Sequence, residues 1–284
     1  MPTQSILVGL IGSGILASRA PRLHEKEGDD QGLRYLYRLI DLDVLGLSVE
    51  ALPELLTAAE RLGFIGLNIT YPCKQVVIEH LHELDRDARA IGAVNTVLFR
   101  GGRRLGCNTD WSGFAESFRR TLVDVKRDRV VQFGAGGTGA AVSHALLTLG
   151  AGRIAIVDVD RKRAGDLAKA LCARFGTGRA VASEDVAEAM STADGIVNAT
   201  PVGMAKFPGM RVPEGMLSSK LWVADVIYFP METQLLREAK TRGCRTMTGA
   251  GMAVFQAADA FRLFSGTEPD VERMLRHFAE MTDD

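Results

Sequence analysis

Short, mostly apolar runs of strand length recur through the first hundred residues, at Ile6–Ile11, Tyr35–Ile40 and Phe64–Ile69. Between them lie stretches with apolar residues at helical spacing, notably Val49–Leu62, where Pro53 is tolerable only in a first turn. Ala93–Phe99 reads as a further strand, followed by a Gly101-Gly102 turn and Arg104–Cys107 as its hairpin partner. Beyond Asp110 the pattern changes. Trp111–Leu122 has the spacing of an amphipathic connecting helix, and the charged run Val125–Arg129 reads as a solvated linker. A βαβ pattern follows: strand Val130–Phe133, helix Thr138–Leu149 stopped by Gly150, and strand Ile154–Val157. Gly195–Ala199 and Trp222–Ile227 are further strand candidates, and Arg161–Phe175 a helix. Continuous rather than alternating apolar runs suit a parallel sheet covered on both faces. Gly251–Phe264 and Asp270–Ala279 are helical. The expectation is an α/β protein with an α/β domain over residues 1–111 and a Rossmann-type doubly wound parallel sheet over 112–248. Helices of 249–284 would pack back on the first domain.

Composition narrows the function more than the fold. The chain has 284 residues, 46% of them hydrophobic, enough for a substantial core. Its 34 basic and 35 acidic residues give a net charge of −1, with no basic stripe, so nucleic acid is not an expected partner. No apolar run reaches the roughly 18 residues of a membrane span, and the first residues lack the pattern of a signal peptide. Cysteines 73, 107, 172 and 244 are widely spaced, which argues against a zinc site and a disulfide scaffold. His80 and His82, two apart, would not face each other on a helix, and no metal is expected. These features describe a cytoplasmic protein, monomer or homodimer, whose partner is a small molecule.

The stretch FGAGGTG places Gly134, Gly136 and Gly139 in GxGxxG spacing. Glycines at such spacing are common in loops, but here they directly follow a strand and open a helix. In that context Gly134 permits the tight turn, Gly136 a close approach of backbone to a pyrophosphate, and Gly139 close helix–sheet packing. The helix N-terminus then offers free N–H groups to the phosphates, from Gly137 onward. Asp158 ends the second strand, where a carboxylate would accept from an adenosine ribose. This predicts dinucleotide binding, with NAD preferred because the carboxylate would repel a 2′-phosphate. Arg161, Lys162 and Arg163 follow closely, and a cation there would pair with a 2′-phosphate, so NADP is a possible second cofactor. Their other reading is the solvated first turn of a helix.

A nicotinamide enzyme that oxidises an alcohol needs a group to take the hydroxyl proton. Polar residues gather at the predicted strand ends of the first domain: Asn68, Thr70 and Lys74 in NITYPCK, Asn95 in GAVNT, and Asp110 closing CNTD. Taken alone, Lys74 after a proline reads more often as an ordinary solvated lysine than as an acid/base, and Asp110 reads equally as a helix N-cap or as a site residue, two roles that are compatible.

The motifs NITYPCK, GAVNT, NTD, GAGGTG, VNATPVGM and GMAVFQAADAF, in this order, resemble those of the shikimate dehydrogenase family over essentially the whole chain. IGSGILASRAP, Asp158 and DAFRLFSG are most similar to its quinate/shikimate dehydrogenase branch, which tends to prefer NAD. The resemblance implies that Lys74 and Asp110 exchange the proton of the reacting hydroxyl. It further implies that Asn68, Thr70 and Asn95 hold ring hydroxyls, that Gln256 reaches the substrate from the C-terminal helix, and that Tyr228 lies near the carboxylate and nicotinamide. Thr200, Met204, Val226 and Gly249 fall where the family lines the nicotinamide and ribose. Ser18 matches the first hydroxyl of a carboxylate-binding SxS or SxT.

The second hydroxyl of that pair is missing, because the chain reads Ser18-Arg19-Ala20. One hydrogen bond to a carboxylate is worth about 1.5–3 kcal/mol, or roughly ten- to a hundredfold in affinity. Arg19 would replace it if its side chain turned inward; an exposed Arg19 would not. The expected activity is reversible, NAD(P)-dependent oxidation of a ring hydroxyl of shikimate or quinate to the 3-dehydro acid. The alternatives are a dehydrogenase of an aminated relative such as aminoshikimate and a non-catalytic dinucleotide-binding sensor.

Overall fold

The computed structural model describes residues 5–213 and 215–281. The chain forms two compact units, one made of the residues up to Thr109 together with those from Val254 onward, the other of Asp110–Ala253.

In the first unit six strands form one sheet: β1 (Ile6–Gly12), β2 (Tyr35–Asp41), β3 (Gly66–Ile69), β4 (Glu83–Leu84), β5 (Thr96–Arg100) and β6 (Arg103–Cys107). Their order is β2-β1-β3-β5-β6-β4. β1 is parallel to β2 and β3, while β5 runs antiparallel to β3 and β6. The carboxyl ends of β1, β2, β3 and β6 therefore share one edge with the amino end of β5. The β5–β6 hairpin forms where Gly101-Gly102 predicts it. Both glycines have positive φ, 56° and 73°, as a two-residue turn matched to strand twist requires. Val8, Ile11, Leu67, Ile69 and Val97 are buried at 0–1% exposure, which is why their runs are apolar. Pro53 lies in the first turn of the helix Leu52–Arg61.

The helix Gly249–Ser265 starts in the second unit and ends in the first, where Phe261 and Phe264 join a core with Tyr35 and Tyr37. Gly66 makes room for Phe264: a Cβ there would come within 2.5 Å of its ring. Val271–Glu280 is tied to the same unit by Arg273, 2.7 Å from the buried Glu27 carboxylate.

The second unit holds β7 (Arg129–Phe133), β8 (Arg153–Val157), β9 (Ala180–Ala182), β10 (Gly195–Asn198), β11 (Trp222–Asp225) and β12 (Arg245–Met247). All pairings are parallel, in the order β12-β11-β10-β7-β8-β9. That is the doubly wound dinucleotide-binding order, with the reversal between β7 and β10. The helix Gly137–Thr148 is buried nearly all round, consistent with its continuous apolar sequence.

Candidate active site

The polar residues of the first unit converge on the edge formed by the carboxyl ends of β1, β2, β3 and β6. Asn68 sits in β3, buried, and its Nδ2 donates to the Asn95 carbonyl (3.3 Å) and to Thr96 Oγ1 (3.0 Å), while its Oδ1 accepts from the Tyr37 hydroxyl (2.9 Å). Both amide hydrogens of Asn68 are thus used inside the protein, and what it retains for a ligand is one lone pair on Oδ1. Asn95 Oδ1 accepts from the Thr109 N–H at 2.7 Å, and its Nδ2 donates to Thr109 Oγ1 at 2.9 Å and to Gln256 Oε1 at 3.5 Å. Two predicted contacts, Asn95 and Gln256, are thereby brought together from residues 161 apart in the chain.

Lys74 lies in the one-turn helix Cys73–Val76, half-buried, and its carbonyl accepts from the Val94 N–H at 2.8 Å, next to Asn95. Thr70 is half-buried past the end of β3, its N–H on the Ile11 carbonyl at 3.0 Å. Ser18 is half-buried, and its Oγ accepts from the Ala20 N–H at 3.3 Å, in the turn that opens the helix Ala20–Asp30. The buried Asp41 carboxylate, at the end of β2, holds the loop that follows β1 through the N–H groups of Gly14 (3.0 Å) and Ile15 (2.7 Å). Burial alone would raise the Asp41 pKa, but the N–H groups of Ile15, Gly14, Asp43 and Val44 keep it below its ordinary value. Arg19 is neither exposed nor a simple surface charge: it is buried, with its guanidinium 5.5 Å from the centre of the Phe278 ring.

In the second unit the glycine turn is braced from below. Gln132, fully buried in β7, donates to the carbonyls of Gly134 (2.8 Å) and Gly139 (2.9 Å) and accepts from Ser143 Oγ (2.8 Å). Asp158 accepts from the Ala135 N–H at 2.7 Å and the Asp160 N–H at 2.9 Å, so this carboxylate secures the turn. A Cβ at Gly139 would fall 2.2 Å from the Gly134 carbonyl oxygen, whereas one at Gly136 would meet no atom within 4 Å. That open cradle, at the start of the helix Gly137–Thr148, fits a dinucleotide pyrophosphate. Arg163, exposed, lies 3.9 Å from Asp158 and 3.5 Å from Asp160. Arg161 pairs with Glu184 at 2.9 Å and Lys162 with Asp166 at 2.6 Å.

Thr200, past β10, donates its hydroxyl to Asn198 Oδ1 at 2.7 Å, and Asn198 Nδ2 donates to Asp225 Oδ1 at 3.0 Å. Asp225, fully buried at the end of β11, also accepts from Thr233 Oγ1 (2.8 Å) and the Ile227 N–H (3.1 Å). It therefore joins the loop bearing Thr200 and Met204 to the one bearing Val226 and Tyr228. Burial pushes its carboxyl up to about 6, against the Ile227 N–H, Thr233 and Asn198, which favour the ionised form. Met204 is exposed and Tyr228 half-buried, and Gly249 lies so close to Val226 that a Cβ would be 2.3 Å from its carbonyl oxygen. Asp110 is buried and opens the helix Asp110–Thr121 as an acidic first-turn residue, immediately after Thr109.

Sequence reasoning missed Tyr37, Thr96, Thr109, Gln132, Asn198 and Asp225. Gln132, Asn198 and Asp225 carried a visible signal, each a lone polar residue in a short apolar run of strand length. Among the described residues no group of three or more His, Cys, Asp or Glu side chains is placed to hold a metal, and no helix is long and apolar enough to cross a membrane. Burial raises the thiols of Cys73, to about 11, and Cys107, to about 12, which keeps them protonated and poorly nucleophilic.

Comparison with known proteins assigns this architecture. A model of the shikimate dehydrogenase substrate binding domain matches residues 10–97, and a model of the shikimate 5′-dehydrogenase C-terminal domain matches residues 249–277. A shikimate dehydrogenase (NADP(+)) of Streptomyces avermitilis is 58% identical, over 99% of this chain and 97% of its own. A quinate/shikimate dehydrogenase (NAD(+)) of Corynebacterium efficiens is 46% identical, over 99% and 100%. The quinate dehydrogenase of Corynebacterium glutamicum, solved in complex with NAD, superposes with a TM-score of 0.90 at 45% identity, covering 98% of this chain and 99% of that one. Similarity this high along nearly the full length of both partners places the chain in the shikimate dehydrogenase family.

Proposed function

We propose that the protein is an NAD-linked dehydrogenase that reversibly oxidises a ring hydroxyl of shikimate or quinate to 3-dehydroshikimate or 3-dehydroquinate. We place it in the cytoplasm, with small molecules as its partners. The observation that carries this reading is the linked polar set Asn68, Thr96, Asn95, Thr109 and Gln256, at the strand-end edge where α/β folds bind ligands, in a chain of this family. Bound NAD would supply the hydride acceptor. Lys74 takes the hydroxyl proton as the carbinol carbon gives up hydride, and Asp110 is its partner in passing that proton on. Asn95, Thr70 and Gln256 orient the ring hydroxyls, and Ser18 meets the carboxylate. Thr200, Met204, Val226, Tyr228 and Gly249 line the nicotinamide end. Gly134, Gly136, Gly137 and Gly139 hold the pyrophosphate, with Asp158 and Arg163 at the adenosine end.

NAD is favoured over NADP by the charges around Asp158. The cations that a 2′-phosphate would need are already paired with Glu184, Asp166, Asp158 and Asp160. Exposed pairs of this kind are weak, so NADP is disfavoured rather than barred. Ala20, at the start of its helix, supplies no hydroxyl beside Ser18, so quinate, which differs from shikimate next to the carboxylate, competes well. Initial rates with quinate, shikimate and aminoshikimate, each with NAD and NADP, test the proposal. It expects faster turnover with NAD for quinate or shikimate. Oxidation of aminoshikimate alone, or of none, overturns the substrate assignment.

A further inference from the structure

The hydrogen bonds beneath the proposed substrate edge run in one direction. The Asn95 carbonyl only accepts, so the Asn68 amide must turn its NH2 toward it and its Oδ1 toward Tyr37, whose hydroxyl donates at 2.9 Å. Thr96 Oγ1 accepts from the same NH2 at 3.0 Å, which leaves its own hydrogen to donate to Asn95 Oδ1 at 3.1 Å. The Thr109 N–H, which only donates, reaches that oxygen as well, at 2.7 Å. Both lone pairs of Asn95 Oδ1 are occupied, and the orientation of its amide follows from its neighbours. Asn95 therefore meets a ligand through its NH2 rather than through its oxygen. Tyr37, Asn68, Thr96 and Asn95 are all buried, so each unmatched group along the line would be costly.

We infer that Tyr37, Asn68 and Thr96 form a directional relay that locks Asn95 as a hydrogen-bond donor, making Tyr37 and Thr96 positioning residues for recognition of a non-reacting ring hydroxyl. The inference rests on the site reading above and adds its polarity: the hydroxyl held by Asn95 accepts and must donate elsewhere. Tyr37 is itself seated by packing, its ring 4.8 Å from that of buried His24.

Thr96→Val preserves shape while removing the relay's hydroxyl. The expected result is a KM for the acid raised about tenfold, with kcat and the KM for NAD nearly unchanged. Thr96→Ser restores the parent value, and Tyr37→Phe shifts KM in the same sense by less. Of the two monodeoxy analogues of shikimate that keep the reacting hydroxyl, the one lacking the hydroxyl held by Asn95 shows no difference between parent and Thr96→Val. Unchanged KM in Thr96→Val, or an equal penalty on both analogues, overturns the inference. Solvent exchange of the Asn95 carboxamide protons, followed by NMR, tests the relay without turnover. Exchange should quicken in Thr96→Val and not in Thr96→Ser, and equal rates in all three proteins would overturn the relay even if the substrate were another acid.

Discussion

Asp225 and His24 are buried titratable groups that desolvation drives in opposite directions. The Asp225 carboxyl rises from 3.8 to about 6, so the folded state binds its proton more tightly than the unfolded chain does. Its contribution to stability is therefore full below about 3.8 and is lost as pH rises through about 6, a swing of about 3 kcal/mol at most. His24 falls from 6.5 to about 3, so its contribution is full above 6.5 and is lost as pH falls toward 3. Between pH 4 and 6 the two slopes oppose one another. Asp225→Asn removes only the first, so the melting temperature of the variant relative to the parent should be higher at pH 7 than at pH 4. A difference that stays constant across that range would remove Asp225 as the source. At this scale the sequence was least legible. Lys74 and Asn95 could be picked out by motif, but Tyr37 reads as one more apolar strand residue, and its hydroxyl gains a role only through Asn68, 31 residues away.

Elements were legible where local chemistry alone dictates them. The Gly101-Gly102 hairpin needs two left-handed residues, and the βαβ run around the glycine turn has uninterrupted apolar strands. The helix Ala20–Asp30, expected between the first two strands, had no readable bounds because its buried face is Leu23, His24, Glu27 and Gly28, which carries almost no apolar period. β4, β9 and β12, two or three residues each, are too short for any pattern. The glycine turn separates fold from function at this level. Gly136→Ala meets open space and should leave the melting temperature within a degree or so, yet weaken NAD about tenfold or more by filling the pyrophosphate cradle. Gly139→Ala, against the Gly134 carbonyl, should destabilise the unit itself. Parent-like NAD affinity in Gly136→Ala would mean that the cofactor does not approach that backbone.

Across the whole molecule, the chain leaves its first unit at Thr109 and returns to it at Val254. The alternation of strand and helix makes the α/β architecture legible, and the texture of the sequence changes after Asp110. The strand order of the first sheet was not legible, because β5 inserts antiparallel between β3 and β6 and no local signal encodes that choice. The proposal that the molecule is a dehydrogenase assigns Lys74 to the proton and leaves cofactor binding to the other unit's glycine turn. Changing Lys74 to Ala should therefore separate the two functions. The measurement is the rate of NADH formation from quinate or shikimate by Lys74→Ala, taken together with its dissociation constant for NAD. The account predicts a rate lower by several orders of magnitude at parent-like NAD affinity; a rate within a few-fold of the parent would contradict it.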